Sequence, residues 1–184
     1  MNLNEWFEKG LEVEEYAAPL DTHKEGFYHI YHHFTPPEDN SFFQSLKDKK
    51  WRALVLAEVW CGHCMLNIPV FLRIAEKADM PVRFLRRDEN LALMDQYLTN
   101  GKRTIPIFIF IDENGNEVAK WGPMAEKTRE FVTPLREQLP PKDADNYEEK
   151  FKEMVEHVAK AFRENSEFWD GVYESMKTTL EKSM

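Results

Sequence analysis

Between residues 51 and 139 the sequence alternates between two hydrophobic patterns, and that alternation limits the fold more than any other feature of the chain. WRALVLAEVW (51–60) is short, nearly continuous and rich in Leu and Val, the pattern of a strand buried on both faces. CMLNIPVFLRIAEKA then places Leu66, Val70, Ile74 and Ala78 at helical spacing, with Pro69 expected to kink the helix. VRFLRR (82–87) predicts a second strand, ENLALMDQYL a second helix and PIFIFI (106–111) a third strand. DENGNE is rich in turn residues and leads into VAKW, so the last two strands are expected to form a hairpin. AEKTREFVTPLREQL closes the series as a helix with Pro134 as an obstacle inside it. The order β-α-β-α-β-β-α predicts an α/β domain with one mixed sheet, a parallel pair plus an antiparallel hairpin, flanked by helices.

Charge divides the chain around that centre. Residues 51–139 carry twelve basic and twelve acidic side chains, whereas 1–50 carry five and ten and 143–184 carry six and eleven. The expected organisation is a helical N-terminal extension (1–50), the α/β domain (51–139) and a helical C-terminal extension (143–184). LPPKDAD joins the last two, because paired prolines stop a helix and Asp143 or Asp145 can cap the next. In the tail, Tyr147, Phe151, Met154, Val155, Val158, Phe162, Trp169, Val172, Met176 and Leu180 recur at three- and four-residue steps. This apolar stripe is expected to cover the central domain together with the N-terminal helices; the competing expectation is a homodimer seam or partner surface. The formal charge of -9 argues against nucleic acid as a partner. No apolar run approaches the roughly 20 residues that cross a bilayer, and the amino terminus lacks the pattern of a secretory signal, so the expected location is the cytoplasm, away from the membrane.

Cys61 and Cys64, the only two cysteines, stand in WCGHC where the first strand runs into its helix. A helix start gathers unpaired N–H groups and the positive end of the dipole, which favour a thiolate at Cys61. His63, when protonated, would add a nearby positive charge to the same effect. Cys64, one turn deeper, is the expected resolving thiol. A structural zinc site would need two further ligands, and there is no second C-x-x-C, so neither a metal nor another cofactor is expected. His29, His32 and His33 read as the solvated side of a helix whose apolar side is Phe27, Ile30, Tyr31 and Phe34.

Together these features resemble the thioredoxin family over residues 51–139. The order of elements matches, and so does the C-x-x-C at the first strand-to-helix turn. Pro69 stands five after Cys64 where the family has its kink proline, TIP (104–106) matches its cis-proline segment, and Gly122 follows the final strand. The acidic extensions are closest to extended bacterial members, and GHC in place of GPC is similar to protein disulfide isomerases. The resemblance implies a thioredoxin fold and substrate contacts at Trp60, Gly62, Arg103, Thr104, Ile105, Pro106 and Gly122. Trp60 would shield one side of the site, the Ile105 backbone would pair with an extended substrate segment, and Gly122 would let a substrate chain approach. Arg103 with neighbouring Lys102 reads either as surface solubility or as attraction for anionic thiols.

One position departs from the family: its buried aspartate, six residues before the nucleophile, is Val55 here. Glu58 is the nearest acid, either a proton-transfer group for Cys64 or a solvated residue at a strand end. The expected activity is cytoplasmic thiol–disulfide exchange that reduces protein or low-molecular-weight disulfides, with disulfide-containing proteins or small thiols as partners and an unidentified recycling reductant. With a cationic His63 its potential should lie above the roughly -270 mV of thioredoxin. The alternative is an interaction module whose cysteines sense redox state without turnover.

Overall fold

The structure, a computed structural model, describes residues 2–184. The N-terminal extension forms α1 (Asn4–Lys9), α2 (Val13–Ala17), α3 (Lys24–His33) and α4 (Asn40–Lys49). The centre follows as β1 (Arg52–Ala57), α5 (Gly62–Lys77), β2 (Val82–Arg86), α6 (Leu91–Met94), β3 (Ile107–Ile111), β4 (Glu117–Trp121) and α7 (Glu126–Glu137). The tail is a helical pair, α8 (Tyr147–Glu164) and α9 (Ser166–Glu181).

The four strands form one mixed sheet in the order β2-β1-β3-β4, with β1 parallel to β2 and antiparallel to β3, and β3 antiparallel to β4. Side chains alternate across this sheet, so Val55 shares one face with its partners Phe84 and Phe108, and Leu54 the other with Arg83 and Ile109. The two central strands, β1 and β3, are covered on both faces, which is why they read as nearly unbroken apolar runs. On the first face Phe71 of α5 meets Phe108 and Phe110 edge-on, at 4.9 and 5.7 Å between ring centroids. On the second, Phe7 of α1 packs beneath the guanidinium groups of Arg52 and Arg83.

The extensions complete this core. Leu11 exchanges two backbone hydrogen bonds with Phe84 (2.8 and 2.9 Å), which closes the free edge of β2. Tyr16 of α2 stacks on Phe84 at 4.4 Å. α3 lays Phe27 and Ile30, with Phe34 just past its end, on the α5 side, while His32 and His33 face solvent and His29 lies half-buried. α9 packs against α5, α7 and β4 through Phe168, Trp169, Val172, Tyr173, Met176 and Leu180, each worth about 1.5–3 kcal/mol of apolar burial. Polar ties run alongside: Trp121 Nε1 donates to Ser175 Oγ (2.9 Å), and Lys177 pairs with Asp39 (2.7 Å). Buried apolar side chains form a single cluster extending from Leu3 to Leu180.

Three local expectations are corrected. The second helix of the centre is a 3-10 turn (Arg87–Glu89) and the four-residue α6, because the segment after it is held by tertiary contacts: Tyr97 is buried and its hydroxyl donates to Glu117 (2.6 Å). α7 runs through Pro134 as its sequence suggests, giving up one backbone hydrogen bond there. The residue that precedes α8 as its cap is Asn146, without a side-chain bond, and neither Asp143 nor Asp145 takes that place. The apolar stripe of α8 is only partly covered: Val158 and Phe162 are buried, while Phe151 and Val155 stay exposed. No helix among the described residues is long and apolar enough to cross a membrane.

Candidate redox site

The site forms where β1 delivers the chain to α5. Cys61 occupies the N-cap of α5 in an extended conformation (φ -87°, ψ 121°), which makes His63 and Cys64 the second and third residues of the helix. An N-cap side chain faces the N–H groups of those two residues. Both cysteines are free thiols. Cys61 is 9% exposed and Cys64 1%, so the first sulfur is more covered than a nucleophile meeting open solvent would be. The Cys61 thiol is directed at the Ile105 carbonyl, 3.8 Å away.

The two thiols titrate in opposite directions. Cys61 is held below an ordinary thiol, first by the hydrogen bond from the Cys64 thiol and then, against the cost of burial, by the N–H groups of Cys64 and His63 and the charge of Arg87. Cys64 is pushed well up by its burial, by donation to Cys61 and by that neighbour's negative charge. A lone proton is therefore kept on the inner sulfur while the outer one ionises.

His63 does not play the part that its position suggested. Its ring packs on Phe162 of α8 at 5.4 Å, Nδ1 is buried without a hydrogen-bond partner, and Nε2 lies 3.5 Å from Arg136 Nη2. Arginine can only donate, so Nε2 accepts and the ring is neutral. Burial, with Arg136 adding to it, pushes the His63 pKa down to about 4. The expected cation is therefore absent at neutral pH, and with it the electrostatic reason for a histidine-raised potential; α8, which sequence spacing could not place over the motif, is the cause.

Glu58 is buried rather than solvated, and its Oε1 accepts the backbone N–H of Asp88 at 3.0 Å. Its charge reaches Cys64 and raises that thiol further. Trp60 is 56% exposed beside the site, and Gly62 is half-buried. The Ile105–Pro106 peptide is cis, Ile105 and Pro106 are buried, and Thr104 leads into them half-buried. Arg103 is committed to a two-pronged ion pair with Asp95 (2.7 and 3.0 Å), which leaves it little charge for attracting a distant anion. Gly122 has φ +129°, and a Cβ there would fall 2.3 Å from the Pro106 carbonyl oxygen, so contact within the chain itself requires glycine.

Several residues of the site lie far from the motif in sequence. His23, buried just before α3, places its ring against Gly62 and its Nε2 3.1 Å from the Trp60 carbonyl. A carbonyl only accepts, so Nε2 carries the proton; burial lowers this histidine's pKa. Tyr16 is buried close enough to Cys64, Cys61 and Glu58 for their charges to add to burial in keeping its hydroxyl protonated. Asn67 Nδ2 donates to the His63 carbonyl (2.8 Å) and the Pro123 carbonyl (3.2 Å), tying α5 to the loop after β4. Among the described residues, no three His, Cys, Asp or Glu side chains are arranged to hold a metal ion.

A family described as Thioredoxin matches residues 10–139. The chain belongs to the thioredoxin family. The match begins well before β1, so most of the N-terminal helices fall within the family's span. A crystal structure of a protein of unknown function from Pseudomonas aeruginosa superposes with a TM-score of 0.64 at 14% identity, covering 100% of this chain and 99% of that one. A crystal structure of an HIV epitope-scaffold does so with the same score and identity over 99% of each chain. At such identity the likeness speaks for the thioredoxin-like fold with its terminal helices, not for an activity. No curated protein matched the chain.

Proposed function

We propose that the chain is a thiol–disulfide oxidoreductase that reduces protein or low-molecular-weight disulfides. The observation that carries this reading is the opposed titration of two free thiols at one helix start, Cys61 lowered and Cys64 raised. The Cys61 thiolate attacks a substrate sulfur, forming a mixed disulfide and expelling the other substrate sulfur as a thiolate. Cys64 then gives its proton to Glu58 and attacks the Cys61 sulfur, which forms the Cys61–Cys64 disulfide and releases the second substrate thiolate. Two electrons pass to the substrate, and a dithiol reductant restores the starting state. In a reducing cytoplasm the net direction is substrate reduction. An extended substrate segment would lie along the Ile105 carbonyl, beside exposed Trp60.

Turnover of insulin disulfides with dithiothreitol as donor tests this. The wild type should accelerate it repeatedly, Cys61→Ser should not, and Cys64→Ser should stall as a mixed disulfide. A wild type that reacts once and stops favours instead the redox-sensing module.

A further inference from the structure

With His63 neutral, the site's positive charge must come from elsewhere, and one arginine is placed to supply it. Arg87 begins the 3-10 turn after β2, and its side chain folds back over the site with only 21% exposed. Its guanidinium lies 4.9 Å from the Trp60 ring centroid. Nη1 donates to the Arg103 carbonyl (3.2 Å) and Nε to Asp88 Oδ1 (2.9 Å). Trp60 directly precedes Cys61, and Arg103 opens the segment that carries the Ile105 carbonyl to 3.8 Å from the Cys61 sulfur. The guanidinium thus joins the two backbone segments that flank the nucleophile.

We propose that Arg87 is the positioning residue and resident cation of the redox site, clamping Trp60 to the Arg103 carbonyl around Cys61 and favouring its thiolate. This rests on the reading of Cys61 as the nucleophile. Arginine meets three demands at once: a flat face for the indole, a fork that reaches the Arg103 carbonyl with Nη1 and Asp88 with Nε, and a permanent charge. Lysine meets only the last.

The neighbouring charges leave Arg87 this role. From α5, His63 is neutral and Cys64 protonated; from α7, Arg136 keeps its charge but is directed at His63 Nε2 (3.5 Å), where it helps to hold that ring neutral. His23, before α3, is buried with its pKa lowered, and Tyr16 of α2 is held protonated. Arg86 lies over the Tyr16 ring at 5.8 Å, and Arg103 is paired with Asp95. Glu58, at the end of β1, and Asp88, beside Arg87 itself, are negative and oppose the effect, which limits its size.

The test is alkylation by iodoacetamide across pH 5 to 10 in a Cys64→Ser background, where Cys61 is the one thiol left. Arg87→Gln should cut the reactive thiolate fraction at neutral pH by at least about threefold, a shift of roughly half a pH unit. Arg87→Lys, which keeps charge but loses stack and fork, should fall between Gln and wild type. A folded Arg87→Gln protein with the wild-type midpoint overturns the proposal. Should that variant not fold, a wild-type midpoint in Arg87→Lys overturns it equally. Insulin turnover separates the two readings: a midpoint that follows Arg87 in a protein without turnover keeps this inference and removes the enzyme, and the reverse result removes this inference alone.

Discussion

The two sides of the Cys61–Cys64 turn are built from different parts of the chain. One side belongs to the sheet domain: Glu58 at the end of β1, Arg87 after β2 and the Ile105 carbonyl before β3. The other is built mainly by the extensions, His23 from the N-terminal helices and Phe162 from α8, joined by Arg136 of the domain's own α7. The first side carries permanent charge and bears on ionisation. The second packs around two neutral imidazoles and fixes the shape of the turn; the charge it holds, Arg136, is directed at His63 and helps to keep that ring neutral. The same histidine that would be a charge in an open C-G-H-C is a packing residue here, because a helix lies on top of it.

Removing the cover is the strongest way to break that contrast. Phe162 is fully buried and touches His63, Phe131 and Phe168. Phe162→Ala should cost about 3–5 kcal/mol of stability, measured by urea unfolding. In the same variant the His63 proton resonances should titrate well above the present value of about 4, toward the usual ~6.5. A midpoint that stays near 4 would show that Phe162 is not what keeps the ring neutral.

The neutral imidazoles also give the fold a pH dependence of known sign. The unfolded chain binds a proton at His63 near the usual ~6.5, whereas the folded chain does so only near about 4. A lowered histidine pKa means full stability above ~6.5 and loss as the pH falls through the window below it, by at most about 1.4 kcal/mol per unit. Between pH 7 and 5 this amounts to about 2 kcal/mol, and the lowered His23 adds in the same direction. Asp39 and Asp95, whose pKa values are lowered from carboxylate values by Lys177 and Arg103, act in a more acidic range. His63→Gln should flatten the profile of urea midpoint against pH; an unchanged slope would assign the effect to other groups.

What the sequence disclosed follows the same divide. The succession of strands along the chain, the helix that starts at the cysteines and the pairing of the final strands were legible, because each is encoded in a local period or a short motif. α3 was legible too, including the solvent side of His32 and His33, whereas His29 is half-buried with its ring beside Trp169. The neighbours of the motif were not. His23 stands 37 residues before Trp60 in a segment with no chemical signature, and Phe162 belongs to a stripe that spacing marks as apolar without saying what it covers. Arg87 was visible only as the last residue of a strand pattern. Long-range packing decided all three, and packing turned His63 from a cation into a buried ring.

The sheet side can be sharpened through Glu58. Glu58→Gln keeps an acceptor for the Asp88 N–H and removes the charge. Two effects then compete with opposite signs. Losing the nearby anion lowers the Cys64 pKa and would speed resolution, whereas losing a proton acceptor slows it. As the proton acceptor proposed here, Glu58 dominates, and release of a model mixed disulfide at Cys61 should slow by at least about tenfold in stopped-flow mixing. A faster release would reduce Glu58 to a field effect.

The smallest expected effect tests the extension side without touching a cysteine neighbour in sequence. His23→Ala removes the Nε2–H bond to the Trp60 carbonyl and the ring that packs on Gly62. The carbonyl left without its donor should cost about 1 kcal/mol, read from urea unfolding above pH 7, where the native imidazole is neutral. His23→Asn, which can offer an N–H to the same oxygen, should recover part of this. If the extension side sets shape and not charge, the Cys61 alkylation midpoint should remain within about 0.3 unit of wild type in both variants, in contrast to the shift expected for Arg87→Gln. A midpoint that moves as far with His23 as with Arg87 would erase the division between the two sides, since the N-terminal helices would then govern the ionisation of the nucleophile as strongly as the sheet domain does.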